Sequence, residues 1–159
     1  MPPVPPNLFR DVLSRFASGI TVLSVRDHQG VDHGMTVSAF SAVSLTPPLV
    51  LACIGHDATI AGAVAAAERF GVSILSAGQQ RMAIKFAEPH ANRFDGVSIA
   101  RGATGVALLH GALGHLECRI VSRHEAGDHT IVLGEVIHAR TFEGDPLLHF
   151  RGTYGLTAL

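Results

Sequence analysis

The runs Ile20 to Val25 and Val31 to Val43 are largely apolar or β-branched, and little more than the turn-forming Asp27-His28-Gln29-Gly30 stands between them. A link that short joins antiparallel strands and no others, because a parallel return needs a crossover of about a dozen residues or more. The arrangement recurs near the C-terminus: Ala107 to Val121 and Thr130 to Thr141 flank a polar turn at 122–129, and Leu147 to Tyr154 makes a final short extended piece. Between the two hairpins, the wholly apolar Leu49-Val50-Leu51-Ala52-Cys53-Ile54 predicts a strand buried on both faces. Helices are predicted in three places. Leu8, Phe9, Val12, Leu13 and Phe16 fall on one helical face after Asn7, a capping residue type. The alanine-rich stretch from Asp57 to Arg69 has Asp57 as its N-cap and Gly71 just past its end, and Gln79 to Ala87 is stopped by Pro89. Phe70 to Leu75 adds a short strand, and residues 88–105 lack periodicity and read as a surface connection. Strands joined by hairpins as well as by helices predict a mainly β fold, an antiparallel barrel decorated by about three helices rather than a doubly wound parallel sheet.

The 159 residues suit one domain, which we place at 7–159. Residues 1–6, Met1-Pro2-Pro3-Val4-Pro5-Pro6, would form a stiff, disordered lead-in, and they lack the basic and apolar regions of a secretory leader, so a cytoplasmic location is expected. With 12 Lys+Arg against 13 Asp+Glu the net charge is -1, which offers no broad positive field for nucleic acid. No apolar run reaches the roughly 18 residues that would span a bilayer. The hydrophobic fraction is 47%, yet there is no Trp and one Tyr against 17 Gly, so the apolar content is made of small residues. Such a mix suits a backbone closely approached by a ligand, or a dimer interface. Cys53 and Cys118 sit apart in apolar stretches, without the spacing of a redox or metal motif.

There is no GxGxxG after the first strand and no GxxxxGK[ST], so neither a Rossmann domain nor a P-loop is supported. The densest cluster of hydroxyls runs from Gly34 to Ser44. With a period of two, Thr36, Ser38 and Phe40 share one face, and Val37, Ala39, Ser41 and Val43 the other. This is either an edge strand facing water or a platform of small residues on which a flat ring lies against backbone donors and acceptors. Thr59 stands either as an ordinary first-turn residue or as a phosphate contact at a helix N-terminus. His129, after Gly127-Asp128, is a strand-end residue or a ligand contact, and Arg151 is a solvated strand end or a phosphate contact. The histidines carry no HExxH spacing, and no metal is expected.

Five motifs in order resemble the flavin reductase-like domain family, short-chain NAD(P)H:flavin oxidoreductases that supply two-component monooxygenases. Phe16-Ala17-Ser18-Gly19-Ile20-Thr21-Val22 is similar to the family's F-x-S-G-V-x-V opening, and Gly34 through Val50, with Thr36, Phe40, Ser44, Pro47 and Pro48, is similar to its hydroxyl-rich strand and following P-P-L-V. Phe70-Gly71-Val72-Ser73-Ile74-Leu75 with Gln79, Ala83 and Phe86 resembles a third motif. Gly127-Asp128-His129 with Gly134 and Val136 resembles a fourth, and Pro146-Leu147 with Arg151-Gly152 and Tyr154 a fifth. Ala39, Ser73 and His149 depart from the common pattern, where Ser or Asn, Asn, and Tyr stand instead.

The resemblance covers nearly the whole chain and implies a split β-barrel, a homodimer with a site for FMN or FAD on each subunit, and NADH or NADPH as hydride donor. It assigns Thr36, Val37, Ser38, Ala39 and Ser41 to the isoalloxazine and ribityl chain, Thr59, Lys85 and Phe86 to the phosphate and outer ring edge, and Ser76 and Ala77 to the same groove. His129, Arg151, Gly152 and Tyr154 are assigned to the nicotinamide nucleotide, with Asp128 bracing the turn. No acid or base is required, because the flavin carries the chemistry. The implied product is reduced flavin for a partner monooxygenase. Two other readings remain: a flavin carrier or sensor without efficient NAD(P)H oxidation, and a barrel serving as an interaction scaffold.

Overall fold

The computed structural model describes residues 1–89 and 92–155. Its strands are β1 (Ser18–Gly19), β2 (Thr21–Arg26), β3 (Asp32–Val37), β4 (Phe40–Leu45), β5 (Pro48–Gly55), β6 (Arg69–Ile74), β7 (Ile99–Arg101), β8 (Ala107–Leu109), β9 (Gly114–Ala126), β10 (His129–Thr141), β11 (Leu148–Phe150) and β12 (Thr153–Tyr154). Three α-helices accompany them, α1 (Pro6–Leu13), α2 (Ala61–Ala66) and α3 (Gln80–Ala87).

Seven strands form one antiparallel sheet in the order β3-β2-β6-β9-β10-β5-β4. The edge strands β3 and β4 are nonetheless joined by Ser38 and Ala39 alone. A flat sheet of this size would hold its edges roughly 29 Å apart at about 4.8 Å per strand, whereas the link from Val37 to Phe40 reaches at most about 11 Å. The sheet is therefore rolled into a barrel whose seam lies between its two edges. Alternate positions point inward: Leu23 and Val25 of β2, Val50, Ala52 and Ile54 of β5, and Phe70 and Val72 of β6 form the interior with Cys118 and Val132. Burial pushes the Cys118 thiol up to about 12. Gly134 is required where β10 crosses Phe70, since a Cβ there would meet the ring at 2.4 Å. A second core, Ile20, Val22, Leu75, Ala83, Phe86, Leu109 and Leu147, fills the space between β2 and α3.

Several boundaries differ from the sequence reading. The run 31–43 is broken at Ser38 and Ala39, because the chain there crosses the seam. Ala107 to Val121 is two strands, separated by a turn in which Gly111 has φ 81. Leu147 to Tyr154 folds back on itself at Arg151 and Gly152, whose φ values of 50 and 79 make the tight turn between β11 and β12. Asn7 is not a cap: α1 starts at Pro6, behind Pro5, where proline's fixed φ suits a first helical position. Asp57 is not a cap either, since α2 begins only at Ala61 with Ile60 before it. The preceding residues are held in turns by Ala58 N to Gly55 O and Ala61 N to Ala58 O, and Arg69 onward is drawn into the sheet by pairing with β9. The supposed surface connection contains a buried residue, Arg93, and the strand β7.

Candidate functional site

β3 has a partner on one side only, so its other edge carries backbone groups that the sheet leaves free. The carbonyl of Val37 faces β2, where the Thr21 hydroxyl donates to it at 2.7 Å. The carbonyl of Gly34 faces outward and accepts from Arg93 at 2.7 Å. By the alternation of a strand, the amide groups of Thr36 also face outward, into the seam. There a cavity of about 290 Å³ is walled by Met35 to Ala39 on one side and by Cys53, Gly55, Asp57 and Ala58 on the other, with His129 across its mouth.

His129 reaches this cavity because β10 pairs with β5, which places it opposite Gly55. A Cβ on Gly55 would lie 3.0 Å from Asp57 Oδ1 and 3.7 Å from His129 Nε2, so the missing side chain keeps that corner open. The imidazole is held from behind, its Nδ1 lying 2.7 Å from Asp128 Oδ1. The hydrogen bond from His129 holds the Asp128 carboxyl below the usual carboxylate range. Asp128 also accepts the His56 amide through its carbonyl at 3.0 Å, which locks the turn against the end of β5.

A second cavity of about 420 Å³ is lined by Asp32, His33 and Gly34 of β3, by Thr59 and Ile60, and by Pro89 and Arg93. Its acid is already matched, since Asp32 takes Arg101 at 2.7 Å, and His33 is paired with Asp27 at 2.8 Å.

Of the residues singled out from the sequence, Thr36, Val37, Ser38, Ala39 and His129 share the first cavity and Thr59 lines the second. The others fall elsewhere, each for a packing reason. The Thr36 hydroxyl turns away from the seam and donates to the Ala83 carbonyl of α3 at 2.7 Å, leaving only its backbone to the cavity. Ser41 is on the exposed face of β4, its hydroxyl bonded to the Ala42 carbonyl at 2.9 Å. Phe86 has no exposed surface; it packs edge-on against Phe94 at 4.9 Å beneath Gly34, so it supports the wall from behind. Lys85 is tied to the Asp95 carbonyl. Ser76 and Ala77 start a short 3-10 turn and bond to Gly111 and Asp145, away from both cavities. Arg151, Gly152 and Tyr154 belong to the separate β1-β11-β12 sheet, where Tyr154 lies 5.1 Å from the His149 ring.

Cys53, Gly55, His33 and Arg93 were not expected at the site. Gly55 had a usable signal, a glycine ending an apolar strand directly before a turn. Arg93 had none, for it lies in a stretch without periodicity.

Comparison with known proteins gives a consistent picture. The family model described as flavin reductase like domain matches residues 13–158. An NADH-dependent FAD reductase of Streptomyces globisporus is 42% identical over 148 residues, covering 90% of this chain and 80% of that protein. The reductase component of a 4-nitrophenol 4-monooxygenase/4-nitrocatechol 2-monooxygenase from Rhodococcus opacus is 37% identical over 147 residues, covering 92% and 78%. Among solved structures, the NADH:FAD oxidoreductase of Streptomyces globisporus C-1027 in complex with NAD and FAD fragments superposes with a TM-score of 0.91 at 39% identity, covering 99% of this chain and 98% of that one.

Proposed function

The chain belongs to the flavin reductase-like domain family, and from that premise we propose that it oxidises NADH or NADPH, reduces FMN or FAD, and releases the reduced flavin to a partner flavin-dependent monooxygenase. The observation that carries this reading is the meeting of the free edge of β3 and His129 in one cavity. Small side chains at Ser38 and Ala39 and outward-facing amide groups at Thr36 fit a flat heteroaromatic ring with donors and acceptors on its rim.

A bound flavin supplies the hydride acceptor, and the protein's part is alignment and exclusion of water. Thr36 presents its outward backbone groups to the ring, Val37, Ser38 and Ala39 line the same wall, and Thr59 serves the phosphate end. Asp128 occupies His129 Nδ1, which leaves Nε2 beside Gly55 free to hydrogen-bond the carboxamide of a nicotinamide. Arg151, Gly152 and Tyr154 would meet the distal part of the nucleotide. We further propose that 7–159 acts as one domain and that a second copy covers the apolar face of α1, where Leu8, Phe9 and Val12 are 50–56% exposed. No helix among the described residues is long and apolar enough to cross a membrane, and we place the activity in the cytoplasm.

The test is to mix the purified protein with NADH or NADPH and excess FMN, FAD or riboflavin, and to follow the near-ultraviolet absorbance of the reduced nicotinamide. Flavin-dependent oxidation is expected. Flavin binding with no oxidation by either nucleotide would replace the reductase with a carrier or sensor.

A further inference from the structure

His129 stands at the tip of the hairpin formed by β9 and β10, and apolar packing does not hold that tip: every residue from His124 to His129 is exposed. We propose that Glu125 and His56 are positioning residues for His129, clamping the hairpin tip onto the end of β5 and so setting where the imidazole meets the nicotinamide. This rests on the flavin reductase reading of His129 and extends it to two residues outside the cavity wall.

The backbone leaves the tip under-determined. Gly127, at φ 67, closes a two-residue loop with Asp128, which sets the pairing of β9 with β10. How the tip lies against β5 is a separate matter. His129 is opposite Gly55 at the last pair of that ladder, and Gly55 offers the imidazole no side chain to rest on.

Two side chains make up the difference. The Glu125 carboxylate joins three neighbouring strands: from β9, its Oε1 accepts the hydroxyl of Thr130 on β10 at 3.1 Å, and its Oε2 lies 2.9 Å from Nε2 of His56, the residue that follows β5. His56 is engaged at both ends, since its backbone amide donates to the Asp128 carbonyl at 3.0 Å. Asp128 in turn holds His129 Nδ1 at 2.7 Å. A path of polar contacts therefore runs from Glu125 through His56 and Asp128 to the imidazole. The neighbouring charges are otherwise directed: Arg123, on the same face of β9 as Glu125, donates to the Val64 and Ala67 carbonyls, and His124, on the opposite face, lies 2.9 Å from the Ser122 hydroxyl. Asp57 borders the Gly55 corner from the other side. The His56 and Glu125 side chains are 46% and 76% exposed, and an ion pair so open to water adds little to overall stability. Its effect is on where the tip sits.

The experiment uses the full chain, steady-state kinetics with NADH varied at saturating FAD, and a double-mutant cycle with His129→Ala. Glu125→Ala is expected to raise KM for NADH about threefold, the scale of an exposed pair, while kcat and KM for FAD move less. Glu125→Gln keeps an acceptor for His56 and should restore most of the loss. His56→Ala keeps the amide that holds Asp128, loses only the ring, and should reproduce Glu125→Ala; it decides the matter should Glu125→Ala fail to fold by circular dichroism. In the His129→Ala background neither substitution should raise KM further, because both act through the imidazole. An unchanged KM in both single variants, or the same rise with and without His129, overturns the proposal and leaves the reductase reading intact. If His129→Ala itself leaves KM for NADH unchanged, the reading of His129 falls and the proposal with it.

Discussion

Glu117 offers the sharpest test of how the scaffold is held. It lies on β9, 6% exposed, and faces the turn between β7 and β8. Oε1 accepts the Ala103 amide at 3.0 Å, and Oε2 accepts both the Thr104 amide at 2.7 Å and the Thr104 hydroxyl at 2.6 Å. Glu117→Gln keeps the shape but replaces one oxygen by an amide group. With the remaining oxygen on Thr104, the new donor faces the Ala103 N–H, so one charge-assisted bond is lost and the other two weaken. At about 1.5–3 kcal/mol for a hydrogen bond to a charged group, the expected loss is about 2 kcal/mol. For a chain of this size that corresponds to a fall in Tm of roughly 4–8 °C. Burial pushes the carboxyl up, but the hydrogen bonds from Thr104 and Ala103 outweigh it, and the net position is below the ordinary 4.5. A carboxylate lowered on folding contributes stability above the unfolded value and loses it as pH falls through the folded one. The gap between the unmodified protein and Glu117→Gln should therefore be full at neutral pH and shrink below 4.5. Urea unfolding followed by circular dichroism at both pH values measures it. Equal stability at neutral pH, or a gap that does not change with pH, would refute the account.

His129→Ala should raise KM for NADH about fivefold, near 1 kcal/mol, and more than it raises KM for flavin; steady-state kinetics with each substrate varied would show the opposite order if the role is misassigned. Thr36→Val removes the bond to Ala83 and should cost about 1 kcal/mol in urea unfolding. Unchanged stability together with weaker flavin binding would mean that the hydroxyl turns to the groove. Gly134→Ala puts a Cβ 2.4 Å from the Phe70 ring, which is fully buried and cannot swing away, and should destabilise by about 1–3 kcal/mol in thermal melts; no shift would contradict the packing there.

Local chemistry determined much of this protein before any tertiary contact was considered. Short polar turns between β-branched runs dictate antiparallel pairing, and Pro89 ends α3 wherever that helix packs. The small, hydroxyl-bearing residues from Gly34 to Ser44 already marked the strand that borders the groove, and the order of motifs marked the family. Directions and distant partners were decided only by the rolling of the sheet. The alternation that places Thr36 beside Ser38 says nothing of α3, which arrives from far along the chain and takes the Thr36 hydroxyl. Phe86 has the same pattern whether it lines a groove or supports its wall, and packing beneath Gly34 settles it. Arg93 lies in a stretch without periodicity, and its burial beside β3 follows from contacts between residues some sixty positions apart, 34 and 93, with a separation of 59. Periodicity reports which residues share a face; only the rolling of the sheet decides what that face meets.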